Sequence, residues 1–270
     1  MEDEAKTAKE AVSAIGEIIK IAGENPNAKA AASDLAKAAH TVTTALNVVL
    51  LPLAAVNFAY KKAHVYFHER FPQDLKDATA SIPPEDLIEP KASLAGPALQ
   101  GLAFSHEEED LKQLYINLLR TAMDSRSAST AHPSFVEIIK QLSCEEAQLL
   151  KDALGYERLT AIAEITVKGP LGFYNTAKHM IDLRNEAGQI VENPSLPMMI
   201  DNWSRLRLVP VDYGVWLTGP SAYEWVPHRP EYIRAHATRD GQNVQISFRK
   251  GSMQRTDYGS KFAEAVGIIP

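Results

Sequence analysis

Few residues in this chain have the types and spacing that catalysis or metal binding requires. Cys144 is the only cysteine, so no disulfide can form within the chain and no cysteine-based metal cluster is possible. His64 and His68 stand four residues apart, a spacing that places two ligands on one helix face, but no third ligand follows as it would in an HExxH motif. We interpret Cys144 as a packed residue and the two histidines as surface residues.

The string from Ala131 to Phe135 brings a histidine and a serine close together, as a hydrolase would require. His132 and Ser134 have no evident acidic third member and no oxyanion loop, so we interpret the string as a pre-proline turn followed by a helix N-cap. The chain also lacks the P-loop, GxGxxG, HExxH and GxSxG motifs. The sequence therefore predicts a protein that has no catalytic residues, no metal site and no cofactor, and it indicates no small-molecule substrate.

Nucleic-acid binding is a second possibility, and it depends on basic residues near the C-terminus. The whole chain has a formal net charge of −6, whereas residues 201–270 carry nine Lys and Arg against seven Asp and Glu. In a winged helix, one helix enters the major groove and the wing contacts the phosphate backbone. The candidate phosphate contacts lie near an expected helix end and around an expected turn: Arg205, Arg207, Arg249, Lys250 and Arg255.

The segment 38–60 is unusual because it contains no Asp, Glu, Lys or Arg. About 20 predominantly apolar residues suffice to cross a bilayer. However, His40 and three threonines add polar side chains, and Pro52 leaves a backbone group without its helical hydrogen bond; lipid cannot bond to either. Two interpretations stay open: a helix covered by the protein or by a partner, and a segment that meets the membrane. The candidate membrane or partner contacts are Leu46, Val49, Leu50, Leu53 and Val56.

The elements that would position these residues fall into three expected domains. Residues 1–80 should be N-terminal helices that include the uncharged segment. Residues 81–155 should form a compact helical bundle, because three Ser-x-x-Glu capping boxes occur beside apolar helix patterns. The three boxes are Ser105 with Glu108, Ser134 with Glu137, and Ser143 with Glu146.

Residues 156–270 should form a smaller α+β module. We expect helices over 173–187 and 195–206, strands over 206–209 and 244–248, and a turn at 250–251. Thr256 is placed to N-cap a final helix. This order is compatible with a winged helix. The sequence therefore predicts a mainly α fold, in which a helical bundle is followed by a smaller α+β winged-helix-like C-terminal module.

The first residues indicate the compartment. The sequence begins Met1-Glu2-Asp3-Glu4, which is acidic where a secretory signal peptide is basic, and no apolar h-region follows. We therefore expect a cytoplasmic protein, which would associate with the membrane on activation if the segment 38–60 meets lipid.

Six stretches of the chain form a distinctive ordered set: LNVVLLPLAAVNFAY at 46–60, IPPEDLIEPKASLAGPAL at 82–99, LYINLLRTAMD at 114–124, AHPSFVEIIKQLSCEEAQLL at 131–150, DNWSRLRLV at 201–209 and RTDYGSKFAEAV at 255–266. Together they resemble the abortive infection alpha (Abi-alpha) family of bacterial proteins. Proline-anchored strings in the same order are more specific than any single short motif.

The resemblance implies a bacterial or prophage-encoded protein associated with defence against phage, and it brings no established catalytic residues to this chain. We therefore expect a non-enzymatic defence protein that acts through protein or membrane contacts, with a protein partner or self-association. The alternative is a winged-helix protein that binds nucleic acid through its C-terminal module.

Overall fold

The computed structural model describes residues 57–155, 159–239 and 243–269, which fall into two compact units. Among these residues, unit 1 consists of 57–149 with 261–269, and unit 2 of the described part of 150–260. The helices are α1 Asn57–Glu69, α2 Phe71–Thr79, α3 Ala92–Ser105, α4 Glu109–Met123, α5 Ser134–Ile139, α6 Cys144–Gly155, α7 Leu196–Arg205, α8 Pro230–Ala237 and α9 Asp257–Ala265. The strands are β1 Thr160–Gly169, β2 Gly172–Met180, β3 Val211–Asp212 and β4 Gln245–Met253. The predicted domain boundaries at residues 80 and 155 stay predictions.

Unit 1 is a set of helices that pack through their apolar faces. In α4 the apolar residues recur every three or four positions, so that one face is buried and the other carries charged residues. Phe135 of α5 packs edge-on against Phe262 of α9, with ring centroids 5.5 Å apart. Side chains of α4 donate to carbonyls at the end of α9, which have no partner within their own helix: Asn117 to Val266 (2.8 Å) and Thr121 to Ala265 (2.9 Å).

One of the three predicted capping boxes is confirmed. The Ser143 N–H donates to the Glu146 carboxylate (2.8 Å), and the Glu146 N–H donates to the Ser143 hydroxyl (3.2 Å), at the start of α6. The other two are wrong. Ser105 lies in the last turn of α3 and donates to the Gly101 carbonyl (2.8 Å), and Ser134 follows the N-cap position of α5 instead of occupying it.

Unit 2 is built on a four-stranded antiparallel sheet with the strand order β2-β1-β4-β3. The inner strands β1 and β4 pair along nearly their whole length. Because side chains alternate across a strand, one face of β1 presents Ala163 and Ile165, which pack into a hydrophobic cluster that includes Trp225. The opposite face presents Glu164 and Thr166, and we refer to it as the polar face.

The irregular segment between β2 and α7 is anchored by one buried cation. Arg229, at the start of α8, is 1% exposed. Its guanidinium donates to both carboxylate oxygens of Glu231 (3.1 and 2.6 Å) and to the backbone carbonyls of Leu183 (3.3 Å) and Val191 (2.9 Å). The charge is therefore neutralised by an ion pair, and its remaining donors hold two points of the segment against α8.

The predicted fold class is wrong. The described residues contain nine α-helices, but also an antiparallel sheet of four strands, so the chain is not a helical bundle with a winged-helix tail. Residues 173–187 form most of β2 and the segment after it, and not a helix. Residues 206–209 form no strand, and the expected turn at 250–251 lies inside β4, which runs on to Met253.

Three local predictions for unit 2 are confirmed. The helix expected over 195–206 is α7, and the alternating residues of 244–248 lie at the beginning of β4. Thr256 caps the final helix, because its hydroxyl accepts a hydrogen bond from the Gly259 N–H (2.7 Å).

Candidate functional site

An exposed apolar surface lies at the end of the β1–β2 hairpin. Leu171 is fully exposed, Phe173 is 76% exposed and Tyr174 is 54% exposed. We call these three residues the hairpin tip. Scattered apolar residues are common on protein surfaces, but three exposed apolar residues within four positions at the end of a hairpin make a candidate contact site.

Two glycines and a proline make the turn that presents the tip. Gly169 and Gly172 face each other in the strand register, which leaves Pro170 and Leu171 as the turn residues. Gly172 has a φ of +136°, a value that other residues rarely adopt, and proline has the fixed φ that tight turns favour. The turn therefore places Leu171 beyond the last paired residues of the sheet.

The charges around the tip are basic. The hairpin contains one acidic residue, Glu164, and that side chain is buried, whereas Lys168 and Lys178 are exposed. Lys168 pairs with Phe173 across the two strands, so its ammonium group lies on the same face as that ring. The Arg239 guanidinium lies over the Tyr174 ring, 5.9 Å from its centroid. The apolar tip is thus accompanied by cationic groups.

The base of the hairpin is anchored by three polar side chains. The His179 imidazole lies between the Tyr213 hydroxyl (Nδ1, 3.1 Å) and the Asp201 carboxylate (Nε2, 3.0 Å). His179 has a φ of +52° at a point where the β1–β2 register shifts. Such a bulge re-aims a side chain, and the positive φ costs energy that the contacts must offset. The trio thereby joins β2 to α7 and to the residue after β3.

Burial raises the pKa of Tyr213 to about 12, so its hydroxyl is protonated at neutral pH. In the neutral imidazole, the phenol can donate to Nδ1 while the Nε2–H donates to Asp201, which satisfies all three groups. The Tyr213 oxygen also accepts the His179 backbone N–H (3.2 Å). We interpret the trio as an anchor that fixes the base of the hairpin, because each of its polar groups is used in joining neighbouring elements.

A second network on the polar face lies beside this anchor. Buried Glu164 accepts from Asn175 of β2 (2.8 Å) and from the Arg249 guanidinium of β4 (3.3 Å). Arg249 also lies over the Tyr213 ring, 5.2 Å from its centroid. Gly251 allows this arrangement, since a Cβ there would lie 2.6 Å from the ring. Glu164 and Arg249 of the polar face are therefore paired with each other.

The predicted nucleic-acid contacts are not gathered on one face of the sheet. Arg249 lies in the Glu164 ion pair, and Lys250, the next residue of β4, points to the other face, with its ammonium 5.1 Å from the Tyr223 ring centroid. Arg255 donates to a backbone carbonyl at the end of α6. At the end of α7, Arg205 donates to Asn202 and Arg207 is exposed. Nucleic-acid binding by these residues stays a prediction.

The predicted membrane or partner contacts at 46–56 lie outside the described residues, so they too stay predictions. In the part of the chain that the structure describes, no helix is both long and apolar enough to cross a membrane. Within the same residues, no three His, Cys, Asp or Glu side chains are grouped so that they could hold a metal ion.

Our sequence interpretation missed the hairpin tip. It assigned Phe173 and Tyr174 to a helix, although the sequence offered a hairpin signal: two residues between glycines, Gly169-Pro170-Leu171-Gly172, after a run rich in β-branched residues. Nothing in the sequence marked His179 as a bulge residue.

Comparison with known proteins places most of the chain in one family. The model of the family described as abortive infection alpha matches residues 63–266. No curated protein and no solved structure matches the chain. The matched residues include all of the hairpin and its anchor.

Proposed function

Because the chain belongs to the abortive infection alpha family, we propose that it defends bacteria against phage without catalysis, by contacting an anionic membrane surface through the hairpin tip. The observation that carries this proposal is the exposure of Leu171 and Phe173 beside Lys168 on a two-residue turn. The protein would be cytoplasmic and would bind the membrane surface reversibly through the exposed tip. Such a contact differs from a transmembrane anchor, since an exposed tip can enter only the interfacial layer of a bilayer.

The composition of the tip suits that layer. Burying a Leu or Phe side chain fully is worth roughly 1.5–3 kcal/mol, and interfacial insertion recovers a part of this. Tyr174 has an aromatic ring and a hydroxyl, as interfacial residues commonly do. Each Lys or Arg near an anionic surface adds about 1 kcal/mol, so Lys168 and Arg239 would favour binding at low ionic strength. Together, the apolar insertion and the ionic attraction predict membrane binding that is reversible and salt-dependent.

The direct test is co-sedimentation of the full chain with lipid vesicles. We expect binding to vesicles that contain phosphatidylglycerol, weaker binding to pure phosphatidylcholine, and a decrease between about 0.1 M and about 0.5 M salt. The double substitution Leu171→Ser/Phe173→Ser removes about 1 kcal/mol of interfacial transfer at each residue, and should lower the partition coefficient roughly 30-fold.

A matched control substitutes two exposed apolar residues of unit 2 that lie outside the hairpin. Met198→Ser/Ile233→Ser removes side chains that are 63% and 56% exposed, and should leave vesicle binding unchanged. Equal losses in the two double variants would mean that binding is unspecific. If the wild-type chain does not bind anionic vesicles at low salt, the membrane contact is excluded.

The biological test is survival of a susceptible culture after infection. Abortive defence predicts that a culture expressing the chain survives phage at low multiplicity and collapses at high multiplicity. We expect the hairpin-tip variant to lose this protection while the control variant keeps it. Full protection by a tip variant that no longer binds vesicles would show that defence operates by another contact. Failure of the wild-type chain against a broad phage panel would count against the defence role itself.

A further inference from the structure

Unit 1 contains a cleft that is separate from the hairpin tip and its anchor. It has a volume of about 470 Å³ and lies between α3, α4 and the end of α5. Small-molecule sites typically occupy about 300–1,000 Å³ and combine apolar walls with a few polar groups. Apolar and polar residues contribute about equally to the lining of this cleft. The lining includes Gly101, Phe104, Glu108, Leu111, Tyr115 and Lys140.

The lining of the cleft includes Tyr115 and its hydroxyl. Tyr115 is 2% exposed, and among the described residues no hydrogen bond is found for its hydroxyl. Burial raises the pKa of Tyr115 above its ordinary value of 10, so the group stays protonated and acts as a donor. A hydroxyl that opens into a cleft and has no protein acceptor is able to donate to water or to a ligand there.

Gly101 shapes the space around this hydroxyl. A Cβ on Gly101 would lie 2.3 Å from the Tyr115 oxygen, so only glycine allows the ring to reach the cleft floor beneath α3. Glycine in the interior of a helix lowers helix stability relative to alanine by roughly 0.5–1 kcal/mol. The close approach of the ring to α3 accounts for a glycine at this position.

We propose that this cleft binds an uncharged small molecule that has an apolar ring system and one acceptor oxygen, which accepts the Tyr115 O–H. The apolar walls, formed by Phe104, Leu111 and residues at the end of α5, contact the ring system. The ligand is uncharged for two reasons. An ionised group at this apolar floor would lose its hydration without a counter-ion, and the rim offers one acid, Glu108, and one base, Lys140. The residues that line the cleft belong to unit 1, so the proposal is independent of the hairpin tip.

The test uses Prodan, an uncharged naphthalene ketone whose fluorescence shifts to shorter wavelength in apolar surroundings and to longer wavelength when its carbonyl accepts a hydrogen bond. We expect the full chain to bind one probe saturably. Tyr115→Phe should weaken binding roughly 3- to 10-fold, the usual effect of losing one neutral hydrogen bond. It should also shift the emission of the bound probe further to the blue, because the ring remains apolar and the donor is gone.

Two further variants test the location. Phe104→Ala removes an exposed wall of the cleft and should also weaken binding, whereas Leu171→Ser/Phe173→Ser changes only the hairpin tip and should have no effect. Tyr115→Phe deletes a hydroxyl that has no partner, so the ligand-free variant should melt at the same temperature as the wild-type chain or higher. No saturable binding, or saturable binding that neither Tyr115→Phe nor Phe104→Ala alters, would overturn the proposal.

Discussion

Replacing Arg229 by Met should strongly destabilise unit 2, because it leaves a largely buried carboxylate, that of Glu231, without its partner. Methionine keeps much of the volume of arginine, so the change isolates the charge and its hydrogen bonds. Glu231 is 15% exposed, and its two oxygens accept only from Arg229 among the hydrogen bonds described above. Removing one member of a buried pair costs roughly 3–5 kcal/mol. The carbonyls of Leu183 and Val191 also lose their donor.

The effect can be measured by tryptophan fluorescence during urea unfolding. The three tryptophans of the chain, Trp203, Trp216 and Trp225, all belong to unit 2, so their emission reports that unit. With a urea m-value of about 2 kcal/mol/M, a loss of about 4 kcal/mol lowers the midpoint by roughly 2 M. That loss is a large share of the roughly 5–15 kcal/mol that stabilises an ordinary domain.

A matched pair in the same helix serves as the control. Arg234 of α8 forms an ion pair with Glu192, and the two side chains are 57% and 29% exposed. Exposed pairs contribute roughly 0–1 kcal/mol, so Arg234→Met should lower the midpoint by less than about 0.5 M. Arg229→Met/Glu231→Met should recover at least half of the loss, because no unpaired charge stays buried. Equal midpoints for Arg229→Met and Arg234→Met would refute the reasoning.

Two further predictions concern unit 1. Ser143→Ala breaks the capping box at the start of α6 and should cost about 1 kcal/mol, seen as a lower thermal midpoint by circular dichroism, whereas the exposed Ser129→Ala should change nothing. The hydrogen bonds from Arg126 hold the pKa of Asp124 below its ordinary value of 3.8, so the carboxylate stabilises the fold above that pH. Asp124→Asn should therefore destabilise the chain at pH 7, with the difference disappearing as the pH falls below about 4; a difference that does not change with pH would contradict the ion pair.

The sequence was informative where both partners of an interaction lie close together along the chain. Ser143 and Glu146 are three residues apart, and so are Thr256 and the N–H that it caps. The chemistry of such a pair is complete within one helical turn. The failure at Ser105 has the same origin: a serine three residues before a glutamate also fits the end of a helix, where its hydroxyl can bond to the preceding turn.

The error over residues 173–187 has a specific physical cause. Tyr174, Ala177 and Met180 recur every three residues, which is typical of one face of a helix. In the structure they share one face of β2, because two register shifts insert an extra residue between each pair. Bulges thus convert the period of two that marks a strand into a period of three. The apolar pattern alone could not separate these two structures.

The cleft could not have been predicted, because its parts come from separate helices. Leu111 and Tyr115 fit an ordinary buried helix face, and the structure buries both of them in α4. That the Tyr115 hydroxyl has no partner depends on how closely α3 approaches, and this is set by Gly101, fourteen residues earlier in the chain. Whether a polar atom is satisfied is a property of the packed structure.

The pairing of the hairpin strands supports a role for the hairpin tip in contacting another surface. β1 pairs with β4 as far as Lys168, so the turn extends only a few residues beyond the paired sheet. A short turn fixed in this way cannot fold back to cover Leu171 and Phe173, as a long loop could. The side chains of Leu171 and Phe173 are therefore held largely in solvent, where they contribute little to the stability of unit 2. Because folding gains little from their exposure, the hairpin tip is the first surface to alter in a test of contact.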